Sequence, residues 1–148
     1  MKGRKRHIVV DTLGLLMGVK VHPADIQDWD GAKPLLESIQ GRFPRLQRLW
    51  ADSIYKKGGL IDWVEEHCDW VLEIVSKPPD QKGFKVLAHR WIVERTFAWI
   101  GKYRRLSKDY EATIASSEAM VYGAMIHRMV RLLRPPGAAR PPPLLYLL

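Results

Sequence analysis

Two short apolar runs around one turn, near the start of the chain, constrain the fold most. His7-Ile8-Val9-Val10 leads into Asp11-Thr12-Leu13-Gly14, and residues 15–22 supply a second run. Runs of that length around a Gly-containing connection predict a β-hairpin. A polar connection follows over residues 23–30. A helix is predicted from Asp28 or Asp30 as N-cap, with Pro34 in about its first turn and Gly41 ending it. Its inward stripe is Ala32, Leu35, Leu36 and Ile39. Residues 46–51 predict a strand that delivers Asp52 at its C-terminal end. Beyond Gly58-Gly59, Leu60, Ile61, Trp63, Val64 and His67 recur at helical spacing, and residues 70–75 read as a further strand. Pro78-Pro79-Asp80 and Gly83 make a loop of residues 76–85. An amphipathic helix begins at His89 or Arg90 and runs to about Tyr103. The last helix starts near Ser116 or Ser117 and ends near Arg134, with Val121, Ala124, Met125, Met129 and Leu132 along one side. Residues 135–148 are Pro-rich with an apolar end and are expected to form a disordered tail. The order β-β-α-β-α-β-α-α gives an α/β fold: a mixed sheet flanked by helices, in one domain over residues 1–134.

Composition narrows the function classes. With 148 residues, 47% of them hydrophobic and six of them tryptophan, the chain has material for one core, which excludes global disorder. A formal net charge of +8 and a pI near 9.8 favour a polyanionic partner. The lone Cys68 can form no internal disulfide and has no paired metal-ligand spacing, so a packed thiol in a reducing compartment is expected. Residues 1–6 lack the apolar stretch of a signal peptide, and no segment approaches the roughly 20 apolar residues of a bilayer span. A soluble, intracellular protein is expected.

Two carboxylates are the candidates for chemistry. Asp52 falls just past the carboxyl end of a strand, where α/β sheets place active groups, although an Asp there also caps a turn into Ser53-Ile54-Tyr55. Glu94 lies one helical turn from Arg90, and an exposed pair of that kind contributes only about 0.2–0.5 kcal/mol. Trp91, Phe97 and Trp99 flank it, and a carboxylate sheltered among aromatics requires a cation or a metal. Lys102, Arg104, Arg105 and Lys108 follow that helix and suit phosphate contact. Lys2, Arg4, Lys5 and Arg6 are either a solvated tail or a second phosphate-contacting run. His22, Asp25, Asp28 and Asp30 have no standard ligand spacing, so capping and solvation account for them. Trp91 and Trp99 are expected in the core, and His127 in a structural role.

Taken as an ordered set, these segments resemble the DDE transposases of bacterial insertion sequences of the insertion-sequence-five type. The resemblance rests on residues 2–15, on His22-Pro23-Ala24-Asp25-Ile26-Gln27-Asp28, on Trp50-Ala51-Asp52 and on Arg90-Trp91-Ile92-Val93-Glu94-Arg95-Thr96-Phe97-Ala98-Trp99. It extends through Tyr103-Arg104-Arg105-Leu106-Ser107-Lys108-Asp109-Tyr110-Glu111. It implies an RNase H-like fold and a site for two Mg²⁺ ions built from Asp, Asp and Glu. Such a site cleaves a phosphodiester at the element end and transfers the strand to target DNA; two ions roughly 3.5–4 Å apart clamp the attacking and leaving oxygens. Asp52 corresponds to the second Asp, Glu94 to the Glu, and Arg90 to the Arg of the family's Tyr-Arg-Glu-Lys signature. Leu87 stands at the tyrosine place and Gly101 at the lysine place, so Lys102, Arg104 or Arg105 supplies that cation.

The first family Asp lies on a strand upstream of Lys2-Gly3-Arg4-Lys5-Arg6. Asp11 could stand in by counting, but both the hairpin reading and the resemblance put it in a turn. The chain thus resembles the C-terminal portion of a catalytic domain without its first strand, either a truncated frame or the second frame of a frameshifted element. The resemblance implies a polypeptide inactive alone. The alternative is a non-catalytic DNA-binding remnant or inhibitor. Implied partners are double-stranded DNA, contacted by Arg90, Lys102, Arg104, Arg105, Lys5 and Arg6, and a second copy or a full-length transposase. The implied place is the bacterial cytoplasm, at the nucleoid.

Overall fold

In a computed structural model that describes residues 3–76, 89–133 and the backbone of 146–147, the hairpin is the first element. Strand β1 (Arg4–Asp11) pairs antiparallel with β2 (Leu16–Pro23). Helix α1 (Asp28–Ile39) follows, then β3 (Arg48–Asp52), a 3-10 turn over Ser53–Lys56, and α2 (Leu60–Cys68). Strand β4 (Val71–Val75) lies parallel to β3, from Arg48 opposite Val71 to Asp52 opposite Val75. Helix α3 (Arg90–Gly101), a 3-10 turn over Arg104–Leu106, and α4 (Ile114–Leu132) complete the order predicted. One further pairing belongs to the region expected as a tail: β5 (Tyr146–Leu147) runs antiparallel to β1 and parallel to β3. The sheet order is β2-β1-β5-β3-β4.

Alternation along the strands divides the core between two faces. Val9, Met17, Leu49, Ala51 and Leu72 pack with Leu35, Leu36 and Ile39 of α1 and Leu60 and Val64 of α2. Ile8, Val10, Val19 and Val21 pack on the other face with Ile92 and Ile100 of α3 and Val121 and Met125 of α4. The result is a mixed sheet between two helical layers. Cys68 is buried, as expected, and burial pushes its thiol pKa up, with nearby Glu37 adding to the rise. Among the described residues, no helix is long and apolar enough to cross a membrane.

The helix ends correct several expectations. Gln27, not Asp28 or Asp30, is the N-cap of α1; both aspartates lie in the first turn, where the exposed N–H groups favour negative charge. Pro34 sits inside the helix, beyond its first turn, at the cost of the bond its missing N–H would give to Asp30. Thr113 caps α4 in a reciprocal capping box with Ser116, ahead of the serines expected. Ser117 is buried and its hydroxyl donates to Asp109 at 3.2 Å. Leu132, expected inside, is half exposed as the last residue of α4.

One contact sets α3 against the hairpin. Gly14 holds a left-handed φ of +79°, and a Cβ there would stand 2.7 Å from Thr96 Oγ1. The buried Thr96 hydroxyl shares its proton between Gly14 O at 2.9 Å and Ile92 O at 3.0 Å. Arg95 donates to Leu13 O at 2.9 Å while its guanidinium lies 4.4 Å from the Trp91 ring and 4.7 Å from that of Trp99. Trp91 is therefore an exposed cation–π partner and not a core residue, and Trp99 is only half-buried. Thr96→Val should remove a buried bond and cost about 1–2 kcal/mol in urea unfolding, because Gly14 O then loses its donor.

Candidate active-site cleft

Asp52 is the last residue of β3, where the main chain leaves the sheet for the 3-10 turn. Its Oδ1 accepts the Ser53 N–H at 2.6 Å and the Ser53 hydroxyl at 3.1 Å, which is the capping role open to it from the sequence. Its Oδ2 lies 3.4 Å from Arg90 Nη2. The same guanidinium donates from Nε to Glu94 Oε1 at 3.1 Å, as the helical i to i+4 spacing allows. Two acids from separate elements thus converge on one cation. Both are open to solvent, with side chains 37% and 65% exposed. Glu94 is not sheltered by its aromatic neighbours, because Trp91 and Phe97 themselves face outward.

Asp52, Arg90 and Glu94 line one cleft of about 540 Å³. Lys5, Arg6, His7 and Ile8 enter it from β1, Asp28 from α1, Tyr55 from the 3-10 turn, and His89, Val93 and Phe97 from the α3 side. Lys5 and Arg6 are therefore at the cleft, and they belong to a strand, not to a tail. Lys5 Nζ lies 3.2 Å from Asp28 and donates to Ile26 O at 2.9 Å. Arg6 donates to Leu106 O at 3.0 Å. Arg4 is tied to Asp109 at 3.3 Å and to the carbonyls of Glu111 and Ala112, which makes it a structural clamp.

Lys102, Arg104 and Arg105 do not line the cleft. They cluster just past α3, with Arg105 paired to Glu111 at 2.8 Å, and Arg6 connects this basic turn to the cleft through Leu106. Gly101 ends α3 in an exposed position, whereas Leu87 lies outside the described residues. Asp11 is absent from the cleft. It ends β1, and its Oδ1 accepts the N–H groups of Leu13 and Leu15 at 2.9 Å each. Burial pushes its carboxyl pKa up, opposed by those bonds. His127 accepts or donates one bond, 2.8 Å from the Tyr103 hydroxyl.

Four cleft residues escaped the sequence reading: His7, Asp28, Tyr55 and His89. His7 Nδ1 is 2.7 Å from the Tyr55 hydroxyl, and its ring stacks on His22 at 4.6 Å. Burial, with His22 next, lowers the His7 pKa to about 4; Asp28 opposes the shift and Lys5 adds to it. Burial, with Asp28 and Asp52 nearby, pushes the Tyr55 hydroxyl well above its usual range. The strand period put His7 on the same face as Lys5 and Val9, which was the available signal. As a metal site the arrangement is incomplete. Among the described residues no three His, Cys, Asp or Glu side chains gather for an ion, and a guanidinium already stands between the two carboxylates.

The sequence matches the transposase DDE domain family over residues 1–129. It is 29% identical over 136 residues to a Burkholderia cepacia protein described as a transposase for insertion sequence element IS402, with 84% of this chain and 59% of the relative covered. The chain thus spans about three-fifths of that relative's length. No solved structure matches it.

A neutral, buried His7 has a pH consequence. Its folded pKa lies below the unfolded value of 6.5, so the unfolded chain binds more protons between pH 6.5 and 4. Stability from this group is full above about pH 6.5 and is lost as pH falls toward 4, by about 3 kcal/mol. Urea unfolding at pH 7 and pH 4 should show that loss, and His7→Gln should flatten it.

Proposed function

We propose, because this chain belongs to the transposase DDE domain family, that it acts in DNA transposition. On this reading it is the C-terminal portion of an RNase H-like catalytic domain of the insertion-sequence-five type. What carries the reading is the convergence of Asp52 and Glu94 on Arg90, in a cleft at the carboxyl end of β3. That end of a parallel strand pair is where α/β sheets hold their reacting groups.

DDE transposase domains generally use divalent metal, and Mg²⁺ is the ion proposed here. Asp52 and Glu94 are the carboxylates this chain contributes to that site, one short of the three it requires. Arg90 keeps both acids at one place while no other cation is near, and turns to a DNA phosphate when one is. Lys5 and Arg6 meet the backbone at the cleft. Lys102, Arg104 and Arg105 track it outward, an electrostatic contact that positions DNA without reading its sequence. The duplex carries the element end or the target. The protein works as a homo-oligomer or with a full-length transposase, in the cytoplasm at the nucleoid.

A second reading is favoured because, among the described residues, no third acid gathers with Asp52 and Glu94, the cleft's Asp28 being paired with Lys5: a non-catalytic DNA-binding polypeptide that inhibits or pairs with intact transposase. A nicking assay on supercoiled DNA with Mg²⁺ or Mn²⁺, run with intact transposase added, separates the two: Asp52→Asn in this chain should lower the yield on the first reading and leave it unchanged on the second. The chain alone should not nick. Nicking that Asp11→Ala abolishes would overturn the turn assignment and make the chain a self-sufficient nuclease. Binding should respond to charge in both cases. Arg104→Ala should weaken affinity for all duplex sequences alike, and should lower the slope of log K against log salt by about 0.9.

A further inference from the structure

We infer that Glu118 and Tyr122 of α4 are an edge guard: they occupy the outward N–H groups of β2 and keep this side of the sheet from adding a strand of another molecule. The inference stands on the sheet and is independent of the transposition reading. Among the described residues, β2 is the last strand of the sheet on its side. An antiparallel strand bonds its neighbour through alternate residues and turns the main-chain groups of the others outward. Ala24 donates inward, to Gly3 O at 2.9 Å, so Gly18, Lys20 and His22 face β1 whereas Val19, Val21 and Pro23 face out. An outward row of N–H groups is a template for a further strand, and a sheet that leaves one open is prone to edge-to-edge association.

None of these three outward positions offers a donor. Val21 donates to Glu118 Oε1 at 2.9 Å and Val19 to the Tyr122 hydroxyl oxygen at 3.3 Å. Pro23, the third, has no N–H. Helix and strand match by their rise. Four residues of a helix climb about 6 Å and two residues of an antiparallel strand about 6.8 Å, so side chains one turn apart on α4 meet alternate residues of β2. Val19 and Val21 pack with Val121 and Met125 in the core, which holds the two polar side chains against the edge. Glu118 Oε2 lies 3.6 Å from Lys20 Nζ, so the same edge also carries a pair of charges that an incoming strand would have to strip of water.

The test uses the full chain, amide hydrogen exchange and sedimentation velocity. Tyr122→Phe keeps the ring and removes one acceptor; Glu118→Ala removes the other. Together they should speed exchange at Val19 and Val21 by about three- to tenfold against the inward amides of Lys20 and His22, the effect of one lost bond each. The double variant should also self-associate at a concentration at least about tenfold below that of the unmodified chain. Glu118→Gln keeps an acceptor for Val21 without the charge facing Lys20, and should behave as the unmodified chain in both measurements. Unchanged exchange at Val19 and Val21, faster exchange with unchanged association, or association of Glu118→Gln equal to that of Glu118→Ala would each overturn the inference. Should the double variant not fold, Tyr122→Phe alone decides by the same two readings, with exchange followed at Val19.

Discussion

A strand covered on both faces has little tolerance for error, and β3 is that strand here. Leu49 and Ala51 are sealed under α1 and α2, while Trp50 turns to the α3 side, where its indole N–H donates to Glu73 at 2.8 Å. Its direction is fixed by parallel pairing with β4 along its whole length. The place where it emerges is therefore fixed too, and Asp52 stands at that place, held by the Ser53 N–H. The other half of the site is positioned from the far side of the sheet. Thr96 and Arg95 tie α3 to the hairpin tip, so Arg90 and Glu94 inherit their place from Gly14 and Leu13. Neither acid is located by the other; each is delivered by its own element, and they meet at a guanidinium.

The hairpin, four helices and two parallel strands were legible because burial imposes a period of two or 3.6 residues on the sequence. Asp52 and Glu94 were legible as a pair for the same reason, since one ended a strand and the other lay on a helix face. Helix starts were less so: Thr113 competes with Ser116 and Ser117 as a cap, and only the three-dimensional bond decides. Trp91 and Trp99 misled because a ring reads as core, whereas the guanidinium of Arg95 gives both a partner at the surface. Of the His7, Tyr55 and Asp28 cluster, only the face of His7, shared with Lys5 and Val9, was legible. The rest depends on which strand lies beside which, and local spacing carries no record of strand order. β5 is unreadable for that reason as well, being joined to β1 and β3 only through pairings distant in sequence.

Three arginines show how environment divides one residue type into separate tasks. Arg4 is bound to a carboxylate and to several carbonyls, so moving it would strand four acceptors at once. Arg95 is held by a carbonyl and by two indole faces. Among the described residues Arg90 has only two ionic contacts, both at a solvent-open rim, and exposed pairs of that kind contribute at most about 1 kcal/mol. Displacing it is therefore cheap. Its two partners carry one more negative charge than it neutralises, so the rim retains an appetite for a further cation. In the proposed role, a phosphate that drew Arg90 away would leave the two carboxylates unpaired and open to a metal ion in its place.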